Sequence, residues 1–380
     1  MKISLPESIL TTELKSVCKL LDPCMLVGGE VRDSILNIES KDVDIVTLLT
    51  PDMVTEALTA EGIKVVPTGI EHGTVTAIYN NQVFEITTAR RDIKTDGRHA
   101  KVVFSDSFEE DAKRRDFTFN AIYSKPNGEI TDFTGGLDDL KSGTVRFIGD
   151  ANSRIQEDYL RILRFFRFYA RFAEGEVDEE LLETIKQNAQ LLRNLSAERI
   201  TDEILKILSI KNLAETLKLM QDAGVLQSIG LHGSIKEVSQ LPASPMLRLY
   251  ALGGEGVLRN GCLVFSNKQQ QYFKQISRSE NIPFSEENLN EKSYFVGQSV
   301  CVDTLELLAI KKQDKQYSKW AKQVKKLEIP DFPVKGADLI KLGFPEGREL
   351  GVLLKKVEQW WVKAEFPTKD VVMKYIMQGR

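Results

Sequence analysis

The sequence has few histidines and cysteines and contains no long apolar run. Its 380 residues include three histidines and four cysteines (Cys18, Cys24, Cys262 and Cys301), and no cysteine belongs to a Cys-x-x-Cys pair. Such scattered cysteines indicate reduced thiols and argue against a zinc site or a disulfide framework. No apolar run reaches the ~20 residues of a membrane-spanning helix. The N-terminus has neither signal-peptide nor transit-peptide character, so we expect a cytoplasmic protein without membrane contact.

Several familiar nucleotide-binding signatures are also missing. There is no P-loop and no Gly-x-Gly-x-x-Gly fingerprint, and none of the three histidines precedes an aspartate. Kinases, ATPases, dehydrogenases and phosphohydrolases with a His-Asp ligand pair therefore have no support. The net charge of −4 argues against a nucleic-acid partner, but seven lysines and a single acidic residue, Asp314, lie between residues 310 and 326. That run is either a solvated helix face or a contact for RNA phosphates.

Strand and helix signals separate along the chain. Short apolar runs bounded by turn residues predict strands near 24–28, 43–48, 75–79, 83–87 and 117–123, with Asn80-Asn81 as a hairpin turn. After Ser153 the pattern changes to helical periodicity, which predicts helices at about 155–173, 179–192, 197–209 and 212–223. The sequence thus predicts a head of mixed strands and helices followed by an all-helical region.

The segment from Leu26 to Asp33 and the aspartates that follow it predict a site for nucleotide and metal. A strand ends at Gly28-Gly29, where the missing side chains let backbone N–H groups approach a phosphate, and a short helix begins near Val31. Arg32 lies in its first turn, within reach of a triphosphate or ribose. Asp42 and Asp44 alternate along a strand, so both carboxylates point to one face and suit Mg²⁺. Glu85 on a neighbouring strand is the candidate third carboxylate, or simply a polar residue of a half-buried strand.

Five motifs in a fixed order carry a resemblance to a known family. Gly28-Gly29 with Val31, Arg32 and Asp33, followed by Asp42 and Asp44, matches the nucleotidyltransferase signature of the DNA polymerase β superfamily. The later motifs are Lys113–Asn120, Asp132–Gly136, Glu157–Arg161, and Glu198-Arg199 with Glu203. With all five, the chain resembles the class II tRNA nucleotidyltransferases, which are the CCA-adding enzymes and their bacterial poly(A) polymerase relatives.

The resemblance implies an α+β architecture with a polymerase-β-like head. It places the nucleotidyltransferase head at 1–150, a helical neck with the nucleotide-template helix at 151–210, a helical body at 211–325 and a helical tRNA-binding tail at 326–380. The implied activity is addition of CCA to the tRNA 3′ end from CTP and ATP, with Asp42, Asp44 and Glu85 as catalytic residues. Two Mg²⁺ ions would sit on Asp42 and Asp44, and no protein partner is implied.

Two alternatives remain open within the same family. Poly(A) polymerase shares the head motifs, although the long basic C-terminal extension common in those enzymes is not seen before Arg380. A CC-adding or A-adding enzyme is the other alternative. The polar segment 90–101 resembles the loop with which CCA-adding enzymes switch from CTP to ATP, which argues against a CC-adding enzyme.

The resemblance also names the residues that hold the nucleotide: Gly28, Gly29, Arg32, Arg115, Asp158, Arg161, Arg164 and Arg167. Arg115 would contact the ribose. Asp158 and Arg161, three apart, are neighbours if both lie on one helix. An aspartate only accepts and an arginine only donates, so this pair matches cytosine and adenine and rejects uracil and guanine. Successive three-residue steps drift by ~60° around a helix, so Arg161, Arg164 and Arg167 cannot all face one point.

Overall fold

The N-terminal part of the chain contains every strand of the described residues. The computed structural model describes residues 5–6, 9–39, 43–95 and 100–378, and it divides into two units, Met1–Gly230 and Leu231–Arg380. The strands are β1 (Cys24–Val27), β2 (Val43–Thr47), β3 (Lys64–Gly69), β4 (Thr74–Tyr79), β5 (Gln82–Thr88), β6 (Arg90–Thr95), β7 (Ala100–Phe104), β8 (Ile122–Ser124) and β9 (Ile130–Asp132).

Seven strands form one mixed sheet in the order β3-β4-β5-β2-β1-β8-β9, and β6 pairs with β7 in a separate ribbon. Strands β2 and β5 run parallel, whereas the other paired strands of this sheet are antiparallel. The β4–β5 hairpin turns at Asn80 and Asn81, whose φ angles of 48° and 64° are the positive values that a tight hairpin turn requires. The predicted mixed sheet and its hairpin turn are therefore confirmed.

Helices surround this sheet and complete the first unit. They are α1 (Thr12–Leu20), α2 (Gly29–Ile35), α3 (Pro51–Ala60), α4 (Phe108–Arg114), α5 (Gly136–Lys141), α6 (Ala151–Glu157), α7 (Leu160–Phe172), α8 (Glu179–Asn188), α9 (Ala197–Leu208), α10 (Ala214–Asp222) and α11 (Val225–Ser228). Helix α7 packs on the head through Phe168, whose ring meets those of Phe117 and Phe119 at 5.2 and 5.1 Å between centroids. The fully buried aromatic cluster thus joins the motif segment 113–120 to α7.

Two predicted elements are wrong, and in both places an aspartate side chain bonds to the backbone. The expected helix 155–173 is interrupted between α6 and α7. Asp158 there is extended (φ −157°) and accepts the N–H of Leu160 at 3.1 Å. The expected strand 117–123 is instead a turn followed by the short β8. Asp116 causes it, because one of its oxygens accepts from the Phe117 N–H and the Asn120 amide.

The second unit consists of helices alone among the described residues. They are α12 (Ile235–Gln240), α13 (Pro245–Gly253), α14 (Asn267–Glu280), α15 (Leu289–Val296), α16 (Gln298–Lys311), α17 (Lys315–Val324), α18 (Gly336–Lys341), α19 (Arg348–Lys363) and α20 (Lys369–Gln378). One apolar cluster includes Leu305 and Ala321, and another includes Leu339 and Trp361. None of the described helices combines the length and apolar character that crossing a bilayer requires. A mixed head followed by helices is the predicted fold class.

The Asp132–Gly136 motif is a tightly packed turn. The two carboxylate oxygens of Asp132 accept from the backbone N–H groups of Thr134, Gly135, Gly136 and Leu137 at 2.9–3.1 Å. At Gly136 a Cβ atom would lie 2.2 Å from the carbonyl oxygen of Thr118. Only glycine fits there, because the obstacle is backbone and cannot rotate away.

Gly136→Ala should therefore lower the free energy of unfolding by about 1–3 kcal/mol, the usual effect of overpacking. Urea denaturation followed by circular dichroism measures it. Gly256→Ala is the matched control because a Cβ there meets no atom within 4 Å, so the change should stay within about 0.5 kcal/mol. Equal midpoints for the two variants would contradict the close contact at Gly136.

Candidate active site

The turn after β1 brings a carboxylate close to backbone. Gly28 has φ +84°, and a Cβ atom there would lie 3.2 Å from Oδ2 of Asp44 on β2. Both the positive φ and the close approach favour glycine. Helix α2 starts directly afterwards at Gly29, slightly earlier than the predicted start near Val31. The predicted glycine turn and Asp44 are therefore neighbours in space.

A cleft of about 260 Å³ opens beside this turn. Four arginines dominate its lining and only two carboxylates join them, so its local charge is positive although the whole chain is acidic. It brings together seven of the predicted site residues with three neighbours: Gly28, Gly29, Arg32, Asp44, Arg115, Arg164, Arg167, Asp116, Asn120 and Phe168. Such a lining suits an anion with several phosphates.

Arg32 is held rigidly at the base of the cleft. Its Nε donates to Asp33 at 2.9 Å and its Nη1 to the Asn120 side chain at 2.6 Å. Its guanidinium carbon lies 5.3 and 4.9 Å from the ring centres of Phe168 and Phe172. Burial lowers the pKa of Arg32, against the opposing charge of Asp33. The cation–π contacts and the ion pair with Asp33 hold the Arg32 guanidinium in place, although it is shielded from solvent.

Arg115 is positioned by a buried aspartate. Asp111 is fully buried and accepts from the Nε and Nη2 of Arg115, from the Nε of Arg114 and from the Tyr123 hydroxyl. Burial alone would raise the pKa of Asp111, but the charges of Arg115 and Arg114 outweigh it and lower that pKa. Conversely, burial opposes the charge of Arg115, yet Asp111 raises the pKa of Arg115. The guanidinium that lines the cleft is thus a permanent cation.

Two arginines of α7 enter the same cleft. Arg164 donates to Oδ2 of Asp116 at 2.5 Å, and Arg167 forms an ion pair with Glu203 of α9 at 3.0 Å. Burial acts to raise the pKa of Asp116, but the Arg164 charge outweighs it and lowers that pKa. Glu203 belongs to the fifth sequence motif. Its ion pair with Arg167 gives that motif a role in the cleft. Arg161 does not line this cleft, in keeping with the drift around the helix.

Asp158 and Arg161 are close along the chain but hold different partners. Asp158 lies between helices, and its Oδ2 accepts from Arg199 of α9 at 2.6 Å. Arg161 donates instead to Glu157 at 2.5 Å and to the Arg154 carbonyl at 2.8 Å. The expectation that both side chains are neighbours on one continuous helix is wrong, because Asp158 precedes the first residue of α7. Arg199 thus contacts the segment just before α7. This contact gives the sequence motif Glu198-Arg199 a partner in the structure.

The carboxylates suit a divalent cation as far as the described residues extend. Asp44 and Glu85 are register partners on the parallel strands β2 and β5, so their side chains lie side by side on one face. Asp42, the other predicted ligand, lies outside the described residues. Within the described ranges no three His, Cys, Asp or Glu side chains form a metal-binding group. A carboxylate at the mouth of a phosphate-sized cleft is nevertheless the donor that hard cations bind.

The structure also describes much of two further regions singled out in the sequence, the segment 90–101 and the lysine run. The segment 90–101 forms the antiparallel ribbon β6–β7, and its tip at 96–99 lies outside the described residues. In the lysine run, Lys311 pairs with Glu280 at 2.6 Å. Four other lysines are exposed with helical spacing of four, three and four residues, which gives one basic stripe along α17: Lys315, Lys319, Lys322 and Lys326.

Three supporting residues escaped the sequence reasoning. Asp111 positions Arg115, Asn120 positions Arg32, and Arg154 donates to the backbone carbonyls of Arg114 and Arg115. The four-residue spacing from Asp111 to Arg115 was a usable signal for the first, because residues four apart are neighbours on a helix such as α4. The other two contacts join residues far apart in sequence and left no local pattern.

Comparison with known families matches most of the chain. The model described as "Poly A polymerase head domain" matches residues 24–146. "Probable RNA and SrmB- binding site of polymerase A" matches 176–230, and "tRNA nucleotidyltransferase domain 2 putative" matches 262–376. The head model includes the whole arginine-lined cleft except the α7 residues.

Individual relatives extend over nearly the full length. The chain is 35% identical to "CCA tRNA nucleotidyltransferase 1, mitochondrial" of Mus musculus, over 99% of this chain and 93% of that protein. It is 30% identical to a "CCA-adding enzyme" of Lactobacillus helveticus, over 92% of each. The mouse relative is named as mitochondrial and the other is bacterial, so the cytoplasmic location stays a prediction.

Solved structures share the fold. The Bacillus stearothermophilus CCA-adding enzyme in complex with CTP superposes with a TM-score of 0.75 at 27% identity, over 96% of this chain and 95% of that one. This structure, the full-length relatives and the three matched family models all indicate the same family. The chain therefore belongs to the tRNA nucleotidyltransferase family of CCA-adding enzymes.

Proposed function

We propose that this protein adds and repairs the 3′-terminal CCA of tRNA with CTP and ATP. The observation that carries the proposal is the cleft beside Gly28, in which four fixed arginines lie next to Asp44. Relatives named "CCA tRNA nucleotidyltransferase 1, mitochondrial" and "CCA-adding enzyme" each match more than nine-tenths of the chain. The reaction joins the RNA 3′-oxygen to the α-phosphorus of the nucleotide. The bond to the β-phosphate breaks, pyrophosphate leaves and the hydroxyl proton is lost.

The arginines bind and orient the triphosphate. Arg32, Arg115, Arg164 and Arg167 are each paired with a carboxylate and held by packing, so they need little reordering when the nucleotide arrives. Fixed cations near the leaving pyrophosphate stabilise the charge that develops there. Arg115, beside the cleft entrance formed by Gly28, is our candidate for the ribose contact.

Members of this family work with divalent metal ions, and we propose Mg²⁺ at Asp42 and Asp44. Two ions bound there would lower the pKa of the RNA hydroxyl and neutralise the pyrophosphate. Glu85, next to Asp44 in the ladder, is the proposed third carboxylate. The protein's own part is to present the carboxylates of Asp44 and Glu85 on one face of β2 and β5, with Asp44 beside the glycine turn.

Asp158 and Arg161 are the proposed readers of the base. In this structure Asp158 pairs with Arg199 and Arg161 pairs with Glu157, and both ion pairs are partly buried. A base would replace these partners with its own donors and acceptors. Cytosine and adenine both place an amine beside a ring acceptor, which an aspartate and an arginine satisfy together. The exposed lysines of α17 are a proposed contact for tRNA phosphates.

A product ladder tests the function. The protein is incubated with tRNAs ending at the discriminator base, at C and at CC, with CTP, ATP or both. Stepwise growth to CCA and no further is expected. A ladder that stops at CC, growth by A alone, or long A tails would instead identify a CC-adding enzyme, an A-adding enzyme or a poly(A) polymerase.

Asp44→Ala and Asp42→Ala should each abolish incorporation of both nucleotides. Loss of a metal ligand removes several kcal/mol of transition-state stabilisation, a fall in rate of at least about a thousandfold. Radiolabelled CMP and AMP incorporation measures the rate, and a filter assay measures tRNA binding, which should persist. Asp52→Ala, at an exposed aspartate of α3, is the matched control and should remain active. Normal turnover by the Asp44 variant would refute the metal assignment.

Asp158→Ala should erode discrimination against UTP and GTP by about tenfold, because the amine of the correct base loses its acceptor. Competition between CTP and UTP on tRNA lacking CCA measures this ratio. The control is Asp150→Ala, which removes the N-cap of the neighbouring α6 but no base contact. A variant at Asp158 whose preference matches that of the control would rule out the reading role.

A further inference from the structure

A row of polar side chains crosses the open face of the sheet from Asp44. Glu85 is the register partner of Asp44, and Thr76 on β4 is in turn the register partner of Glu85. The register shift between Val66 and Gly69 on β3 then brings the Thr68 hydroxyl within 2.9 Å of the Thr76 hydroxyl. Register partners share a sheet face, so the row runs from acid to hydroxyl over four strands.

This row forms the floor of a second cleft of about 590 Å³. His72 and Arg90 line it together with Thr68, Thr74, Thr76 and Glu85. Glu85 and Thr68 are exposed, so solvent and ligands reach the part of the row that lines this cleft. The cleft lining contains one guanidinium, one imidazole, one carboxylate and three hydroxyls, which suits a sugar and a single phosphate rather than a triphosphate.

The two clefts meet at the carboxylates. Asp44 lines the arginine cleft and Glu85 lines the second one, and neighbouring strands lie only ~4.8 Å apart. A reaction that joins two substrates at these carboxylates needs one substrate on each side of them. The arginine cleft carries the charge that a triphosphate needs, so the second cleft is left for the substrate that contributes the hydroxyl.

We infer that this second cleft holds the 3′-terminal nucleotide of the RNA, an inference that rests on the proposed function. The 3′-hydroxyl faces Glu85 and Asp44, and the preceding phosphate lies toward His72 and Arg90. The Thr68–Thr76 hydroxyl pair receives the 2′-hydroxyl. Hydroxyl groups both donate and accept, as the 2′-hydroxyl does, and that group distinguishes RNA from DNA at a given site. Thr68 and Thr76 are therefore positioning residues for the acceptor.

The double variant Thr68→Val with Thr76→Val tests this assignment. Valine keeps the β-branched shape that strands favour, and removing both hydroxyls leaves neither without its partner. Steady-state kinetics use tRNA ending in C, with either a ribose or a 2′-deoxyribose at the last nucleotide. The KM for the ribose-ended tRNA should rise about three- to tenfold, the effect of one hydrogen bond, while the KM for CTP stays unchanged. The preference for ribose over deoxyribose should disappear.

The control variant is Thr59→Val, at an exposed threonine of α3, which should keep both KM values and the ribose preference. A double variant that retains the wild-type preference for ribose would overturn the inference while leaving the proposed function intact. Wild-type protein that extends no tRNA with CTP or ATP would overturn the proposed function and the inference together. The two failures are thus distinguishable in one set of assays.

Discussion

The ion pair between Asp116 and Arg164 is the interaction on which the nucleotide cleft depends. It connects the segment after α4 to helix α7 and so brings Arg164 and Arg167 opposite the glycine turn. The other oxygen of Asp116 shapes the turn that presents Asn120 to Arg32. Asp116 is 11% and Arg164 30% exposed, so removing either partner would leave a poorly solvated charge without its counterion. One aspartate thus positions three of the four arginines, directly or through one neighbour.

Acidic residues explain how a chain with a net charge of −4 builds a cationic site. Asp33, Asp111, Asp116 and Glu203 each pair with an arginine that lines the cleft, and of these four acids Asp116 also lines the cleft itself. The negative charges of these acids are paired with neighbouring guanidiniums. The cleft surface therefore remains positive, although the net charge of the whole chain is negative. Net charge is consequently a poor guide to the partner here, and the arrangement of charges decides.

The sequence predicted what depends on local patterns. Alternating apolar residues and Asn80-Asn81 located the β4–β5 hairpin, and the glycine turn with Asp44 located the cleft. The secondary-structure prediction failed where hydrogen bonds between one side chain and the backbone overrode the preference of the neighbouring residues. Asp116 and Asp158 bond to nearby backbone N–H groups, which turned an expected strand into a turn and divided an expected helix. Contacts between distant residues, such as Arg154 with the carbonyls of Arg114 and Arg115, leave no trace in periodicity.

The two oxygens of Asp158 accept from different donors. This difference bears on how one pocket can bind both a pyrimidine and a purine. Oδ1 accepts from the Leu160 N–H, whereas Oδ2 accepts from the Arg199 side chain and is the acceptor for which a base amine would compete under the proposed role. A single acceptor can distinguish a base with an amine at its edge from a base without one. It cannot distinguish a pyrimidine from a purine. If Asp158 reads the base as proposed, other groups of the site must then distinguish cytosine from adenine.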